Sequence, residues 1–247
     1  FIYLLMNKLE KIDEFKNIID GYSPSQSSLD ILKKVKLTLL VAPSSTGRNT
    51  VIKELVKEND FSFIVTDSTR EPRANNGIME VNGREYWFKT EDEFLDGLRD
   101  GLYLEAEIIH AQQVCGISIK ELKVTLSDSK IAITDVDIGG VKSIIKYKPD
   151  VNIIMLLPPS FEEWISRLKG RGEMAQEEVR RRLTTAITIF KSGLVEPYYN
   201  FVIARNVNES ANHIREISLS SSQNSPISDK VQNLLKELIT DTEKYLN

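Results

Sequence analysis

Residues 37–50 read Leu37-Thr38-Leu39-Leu40-Val41-Ala42-Pro43-Ser44-Ser45-Thr46-Gly47-Arg48-Asn49-Thr50, and a helical pattern follows. An apolar run, a loop of small residues and then a helix is the local order of a phosphate-binding loop. Such a loop works because backbone N–H groups and a helix N-terminus converge on the anion. The ideal spelling is G-x-x-x-x-G-K-[ST]. Here Ala42 stands for the first glycine, Arg48 for the lysine and Asn49 for the hydroxyl residue, while Gly47 is unchanged. Arginine keeps the positive charge but is a planar fork, not a compact ammonium. Asn49 offers a metal a carbonyl oxygen, and Thr50 stands one place on as a partial substitute. This reading assigns Ser44, Ser45, Thr46, Gly47, Arg48, Asn49 and Thr50 to a phosphate site. Taken alone, the stretch is a weak match and reads more readily as a plain strand-to-helix turn.

Working outward, apolar runs suited to buried strands recur at 61–65, 131–136, 151–157 and 201–203, with helical patterns between most of them. The alternation predicts an α/β layer fold with a largely parallel sheet. Residues 78–117 interrupt it. Tyr86-Trp87-Phe88 and Leu102–Ile109 read as shorter strands around a helix at about 91–100, an inserted α/β lobe. Near the start, Leu9, Ile12, Phe15, Ile18 and Ile19 predict a short amphipathic helix over 7–20. Residues 21–28 then read as a loop, and 218–226 as a second polar linker. Val231, Leu234, Leu235, Leu238 and Ile239 lie on one stripe of a final helix.

The chain has 247 residues with 41% hydrophobic and 28% charged, enough for an ordinary globular core without covalent staples. Its single cysteine, Cys115, cannot form an internal disulfide, which points to a reducing, cytoplasmic setting. A net charge of −4 excludes a globally basic nucleic-acid binder, so any anion site is local. No apolar run approaches the ~20 residues that span a bilayer, so no membrane partner is expected. The opening Phe1–Leu5 is too short for a signal-peptide core and lacks a basic front, and Met6 is an alternative start.

Six further strings carry a resemblance. They are Thr66-Asp67-Ser68-Thr69-Arg70-Glu71-Pro72-Arg73, Val81-Asn82-Gly83-Arg84-Glu85-Tyr86, Leu104-Glu105, Asp135-Val136-Asp137-Ile138-Gly139-Gly140, Leu157-Pro158-Pro159-Ser160 and Arg167-Leu168-Lys169-Gly170-Arg171-Gly172. In this order, across residues 36–217, the chain resembles the guanylate kinase family. The resemblance implies a P-loop nucleoside-monophosphate-kinase-like parallel sheet flanked by helices. It adds an inserted small α/β GMP-binding lobe at about 66–118 and a helical lid at about 167–185. Residues 1–35 and 218–247 have no counterpart and form an N-terminal helix with its linker and a C-terminal linker with its helix. The implied reaction moves the γ-phosphoryl of ATP to GMP, giving GDP and ADP, with Mg²⁺ accompanying ATP.

By that resemblance Thr66, Arg70, Arg73 and Tyr86 bind the acceptor's phosphate, and two guanidinium forks suit a dianion. Glu105 and Asp137 match the carboxylates that contact guanine. Guanine N1–H and N2–H₂ are donors and carboxylates only accept, whereas adenine presents an acceptor at N1. Arg167, Arg171 and Arg182 fall on the lid arginines, and with Arg48 they are the catalytic cations. Phosphoryl transfer needs positioning and positive charge on the equatorial oxygens, which a closing lid supplies. Asp135, with Asn49, is placed to hold Mg²⁺, the carboxylate acting through water.

The departures keep alternatives open. Cys115-Gly116-Ile117-Ser118 replaces the family's Tyr-Gly-[ST], Gly139 replaces a glutamine, and Arg205-Asn206 stand where Asn-Asp approach the adenine. One alternative is a non-catalytic module of the same fold that binds a nucleotide or a phosphorylated or acidic peptide. Another is a nucleoside-monophosphate kinase with a changed acceptor. ATP binding separates the first alternative from a kinase, and an acceptor panel separates the second. No oligomeric state is readable from the sequence.

Overall fold

The computed structural model describes residues 9–247 apart from 76, 110, 171, 173 and 221–225. In chain order the elements are α1 (Ile12–Asp20), α2 (Gln26–Leu32), β1 (Leu37–Val41), α3 (Arg48–Leu55), β2 (Phe61–Phe63), β3 (Asp67–Ser68), β4 (Ala74–Asn75), β5 (Ile78–Met79) and β6 (Trp87–Phe88). They continue with α4 (Glu91–Arg99), β7 (Tyr103–Ile109), β8 (Gln113–Ser118), α5 (Ile119–Ser127), β9 (Ile131–Asp135), α6 (Ile138–Tyr147) and β10 (Asn152–Leu157). The last are α7 (Phe161–Lys169), α8 (Gln176–Val195), β11 (Tyr199–Ile203), α9 (Val207–Leu219) and α10 (Asp229–Leu246). The chain divides into two compact units. One comprises the described residues up to Lys36, Phe63–Ala132 and Lys142–Pro149; the other comprises Leu37–Ser62, Ile133–Val141 and Asp150–Asn247.

The second unit is built on a five-stranded sheet of order β11-β10-β1-β9-β2. β1 and β10 run parallel with Leu39 opposite Ile153, and β10 and β11 run parallel with Met155 opposite Phe201. Every residue of β1 is buried, as its Leu/Val-rich sequence requires when both faces of a parallel sheet are covered, and the one polar member, Thr38, donates its hydroxyl to Ser218 Oγ at 2.8 Å. α8 lies so close to β10 that a β-carbon on Gly193 would sit 2.8 Å from Met155 Sδ, so a larger residue there makes the Met155 side chain move. Trp164 of α7 is fully buried and meets Phe190 of α8 edge-on. α10 packs on α8 and α7, burying Leu235, Leu238 and Ile239 of its stripe.

The first unit carries a four-stranded sheet of order β6-β3-β8-β7, in which β8 runs antiparallel to both neighbours. α4 starts at a capping box in which Thr90 and Glu93 satisfy each other's backbone N–H groups. Its Phe94 stacks on Tyr103 of β7 with ring centroids 4.4 Å apart, and Phe15 of α1 closes on Phe94 edge-on at 6.0 Å. The N-terminal helix thus belongs to the core of this unit.

The structure departs from the sequence reading in local ways. Residues 21–28 are not all loop: Ser25 accepts from the Ser28 N–H and caps α2, which packs on α5 and β7. A polar first turn, Gln26-Ser27-Ser28, hides that helix behind a linker-like composition. The 61–65 strand stops at Phe63, and the last strand begins at Tyr199 instead of 201. In the predicted linker at 218–226, α9 runs on to Leu219, and 221–225 lie outside the described residues. Residues 7 and 8 of the predicted first helix also lie outside them. Among the described residues no helix is long and apolar enough to cross a membrane.

Candidate active site

β1 ends at Val41, and the chain turns through Ala42–Gly47 into α3. Two left-handed residues make the turn, Ser45 at φ 66° and Gly47 at φ 103°. A β-carbon on Gly47 would meet nothing within 4 Å, so its backbone angle, not crowding, calls for glycine. The loop's carbonyls are tied down by donors from the protein. Thr46 donates its hydroxyl to Pro43 O at 3.0 Å, the Trp164 indole donates to Ser44 O at 2.8 Å, and Arg167 Nη1 donates to Thr46 O at 3.1 Å. α3 starts at Gly47 without a side-chain cap, the kind of helix start whose first amides suit an anion. Ser45 Oγ and Arg48 Nε are buried polar atoms with no hydrogen-bond partner among the described residues. Buried polar atoms ordinarily have one, and phosphate oxygens accept from both.

Arg48 sits in the lysine's place at the start of α3, with its side chain 29% exposed. Its Nη2 pairs with Asp135 Oδ2 at 2.6 Å, at the end of β9. One edge of the fork is therefore fixed by Asp135 while Nε remains for a ligand. Asp135, read from sequence as a carboxylate for a metal-bound water, directs its Oδ2 at Arg48. Asn49, Thr50 and Ser44 are exposed around the loop. Among the described residues no three His, Cys, Asp or Glu side chains group as a metal cage.

Arg167 belongs to the same unit as the loop. Besides Thr46 O, its guanidinium donates to Ala204 O at 2.9 Å and pairs with Glu163 one turn earlier. It therefore links the phosphate loop to the segment after β11, where Asn206 caps α9 by accepting from the Asn208 and Glu209 N–H groups. Arg182 of α8 pairs with Glu178 at 2.6 Å. Arg171 lies outside the described residues. Asp137 accepts from the Gly140 N–H at 2.9 Å, so one of its oxygens caps the first turn of α6.

In the other unit, Arg70 lies over the Tyr86 ring at 4.7 Å and the Phe88 ring at 5.4 Å. Its fork meets Glu80 at 2.5 and 2.9 Å, with side-chain exposures of 9% and 7%. Burial works against the Arg70 charge, but the Glu80 and Tyr86 partners outweigh it and hold the guanidinium charged more firmly than usual. Glu80 also accepts from the Arg73 N–H at 2.9 Å, leaving the Arg73 residue exposed. One acid thus shapes the whole Arg70–Arg73 loop, which lines a cavity of about 860 Å³. Sequence reasoning passes over Glu80, because an acid in an aperiodic polar stretch carries no pattern. Thr66 is half-buried, and its carbonyl accepts from the Trp87 N–H, which ties it to the Tyr86 segment.

Glu105 is buried at 7% exposure, unlike an ordinary surface carboxylate. Its Oε1 accepts from the Ile117 N–H at 3.2 Å. Ile117 itself is buried, and Ser118 opens α5 without a side-chain cap bond. Cys115 is half-buried with Sγ 3.5 Å from Ser68 Oγ, a packing position between strands.

A phosphate loop between a buried parallel strand and a helix, joined in one chain to a smaller antiparallel lobe with paired arginines, defines the class of nucleotide-binding α/β phosphotransferases. Comparison with known proteins gives the family. The model of the guanylate kinase family matches residues 34–221. Guanylate kinase from Corynebacterium jeikeium is 34% identical over 157 residues, 63% of this chain and 81% of the relative. The Clostridioides difficile guanylate kinase is 31% identical over 194 residues, 78% of this chain and 91% of the relative. A crystal structure of guanylate kinase from Anaplasma phagocytophilum shares the fold, with a TM-score of 0.54 at 22% identity over 76% of this chain and 89% of that one. The chain belongs to the guanylate kinase family, enzymes that transfer a phosphoryl group from ATP to GMP.

Proposed function

We propose that the chain moves the γ-phosphoryl of ATP to GMP with Arg48 doing the work of the missing lysine. The observation that carries this is the loop itself: tied-back carbonyls, and buried Ser45 Oγ and Arg48 Nε in need of acceptors. A peptide-binding module has no use for a cation braced at that point, which favours the enzyme. ATP enters as its magnesium complex, with the metal part of the substrate; Asp135 would hold it through water and Asn49 would offer it a carbonyl oxygen. Arg48 lies on the transferring phosphates, and Arg171 and Arg182 complete the positive surround from the lid, about 167–185. Arg167 holds the loop in register with the segment after β11, and the resemblance adds it to the cations around the ATP phosphates.

Thr66, Arg70, Arg73 and Tyr86 take the acceptor phosphate in the lobe at about 66–118. Glu105 and Asp137 accept from guanine N1–H and N2–H₂. Each carboxylate is oriented by a backbone N–H, Ile117's for Glu105 and Gly140's for Asp137. The substrates are nucleotides of the cytoplasmic pool, and a single cysteine, Cys115, held in no disulfide suits that compartment.

Glu105→Gln tests the base assignment. The amide keeps the shape but turns one acceptor into a donor that faces guanine's donors. GMP-dependent kcat/KM is expected to fall ~100-fold, since lost charged hydrogen bonds cost about 1.5–3 kcal/mol each. The KM for ATP stays native. Steady-state kinetics with each substrate varied decides it, and undiminished GMP use by the variant removes Glu105 from the site.

A further inference from the structure

Residues before 34 lie outside the family match, and the proposed chemistry makes no use of them. They nevertheless reach the guanine-reading strand through one side chain. β7 is an edge strand, so its outer backbone groups have no strand to pair with. At Tyr103 both are met by the Tyr22 hydroxyl. The phenol donates to Tyr103 O at 2.6 Å and accepts from the Tyr103 N–H at 2.9 Å. A phenol carries a donor and an acceptor on one atom, so a single oxygen replaces a neighbouring strand. Tyr22 is itself anchored, because the Tyr147 hydroxyl donates to its carbonyl at 3.0 Å. Burial pushes the Tyr22 phenol up to about 12, so the donor proton is retained at neutral pH.

The position of this brace gives it a consequence. Against β8, Tyr103 faces Ser118 but Glu105 faces Ile117, so the register shifts between them. Such a bulge re-aims the side chain that follows it. The bulge is held on one side by the Tyr22 hydroxyl and on the other by the Ile117 N–H bonded to the Glu105 carboxylate.

We propose that Tyr22 is a positioning residue for acceptor recognition: by bracing β7 at Tyr103 it fixes the bulge that aims Glu105 at guanine. The inference rests on Glu105 reading the base. The N-terminal helices are then a working part of the acceptor lobe.

The test is Tyr22→Phe in the full chain, with Phe15→Leu as the comparison. Phe15 packs on Phe94 in the same segment but makes no bond to β7's backbone. Tyr22→Phe is expected to raise the KM for GMP ~5–10-fold, the scale of one or two lost hydrogen bonds. ATP KM and kcat at saturating GMP stay native. Phe15→Leu is expected to lower Tm without moving the GMP KM. A native GMP KM in Tyr22→Phe overturns the inference, and so does an equal rise in both variants, which would mean general loosening. If Glu105→Gln leaves GMP use intact, the base assignment fails first and the inference falls with it. If Glu105→Gln responds and Tyr22→Phe does not, the inference alone fails.

Discussion

Arg48→Ala is expected to lower kcat with ATP and GMP by at least ~10³-fold while leaving GMP affinity native. Two losses of the same sign combine. The first is the cation proposed for the transferring phosphates; removing one preorganised donor in a site of this kind costs ~10²–10³-fold. The second is the release of Asp135, whose carboxylate is paired to Arg48 at 2.6 Å. Without the guanidinium, an unpaired negative charge faces the ATP phosphates. Arg48→Lys keeps the charge as a point ammonium and is expected to stay within ~10-fold of native, because phosphate cradling asks for charge before it asks for a fork. Steady-state kinetics for the three proteins, with GMP binding measured by calorimetry, makes the comparison. Turnover unaffected by Arg48→Ala would remove the loop from the mechanism.

The second large effect concerns stability. Arg70→Ala is expected to destabilise the fold by about 3–5 kcal/mol, the usual cost of removing one partner from a buried ion pair. Glu80 is the reason. Its side chain is 7% exposed, and it loses a two-pronged, charged partner when the fork is gone. On the proposed acceptor site, loss of the Arg70 charge also removes one of its two arginines, so GMP binding is expected to fall in the same variant. The double variant Arg70→Ala/Glu80→Gln separates the two jobs. It is expected to recover most of the stability, because no buried charge is left unpaired, while GMP binding stays lost. Chemical denaturation of the two variants against the native chain, with GMP calorimetry on each, measures both. A double variant as unstable as the single one would show that the Arg70 side chain stabilises by packing on Tyr86 and Phe88, not by pairing Glu80.

Much of this was open to reading where a residue pattern and a physical need coincide. The Leu37–Val41 run, apolar but for Thr38, is a strand buried on both faces, and its boundaries follow from Lys36 and Ala42-Pro43 on either side. α4 is announced by Thr90 and Glu93 ahead of Phe94, Leu95 and Leu98. α2 escapes notice because its capping serine and polar first turn are the residues of a linker. In the site, the charged residues can be found by type, but their local partners cannot. Nothing in the order Arg70…Glu80 says that a hairpin of β4 and β5 folds the acid back under the fork. Nor does spacing reveal that Trp164 and Arg167 hold carbonyls of a loop some 120 positions earlier. Asp137 is read as a base contact, and the structure adds a helix cap that orients it.

The measurement that bears most directly on the central claim is coupled ADP release by the full chain with ATP and Mg²⁺, offering GMP, AMP, UMP and CMP in parallel. Turnover that depends on GMP and exceeds that with each other acceptor by ~10²-fold or more is the predicted result. No turnover with any acceptor, with GMP bound and ATP not bound, would contradict it and leave a nucleotide-binding module whose altered loop no longer accepts ATP.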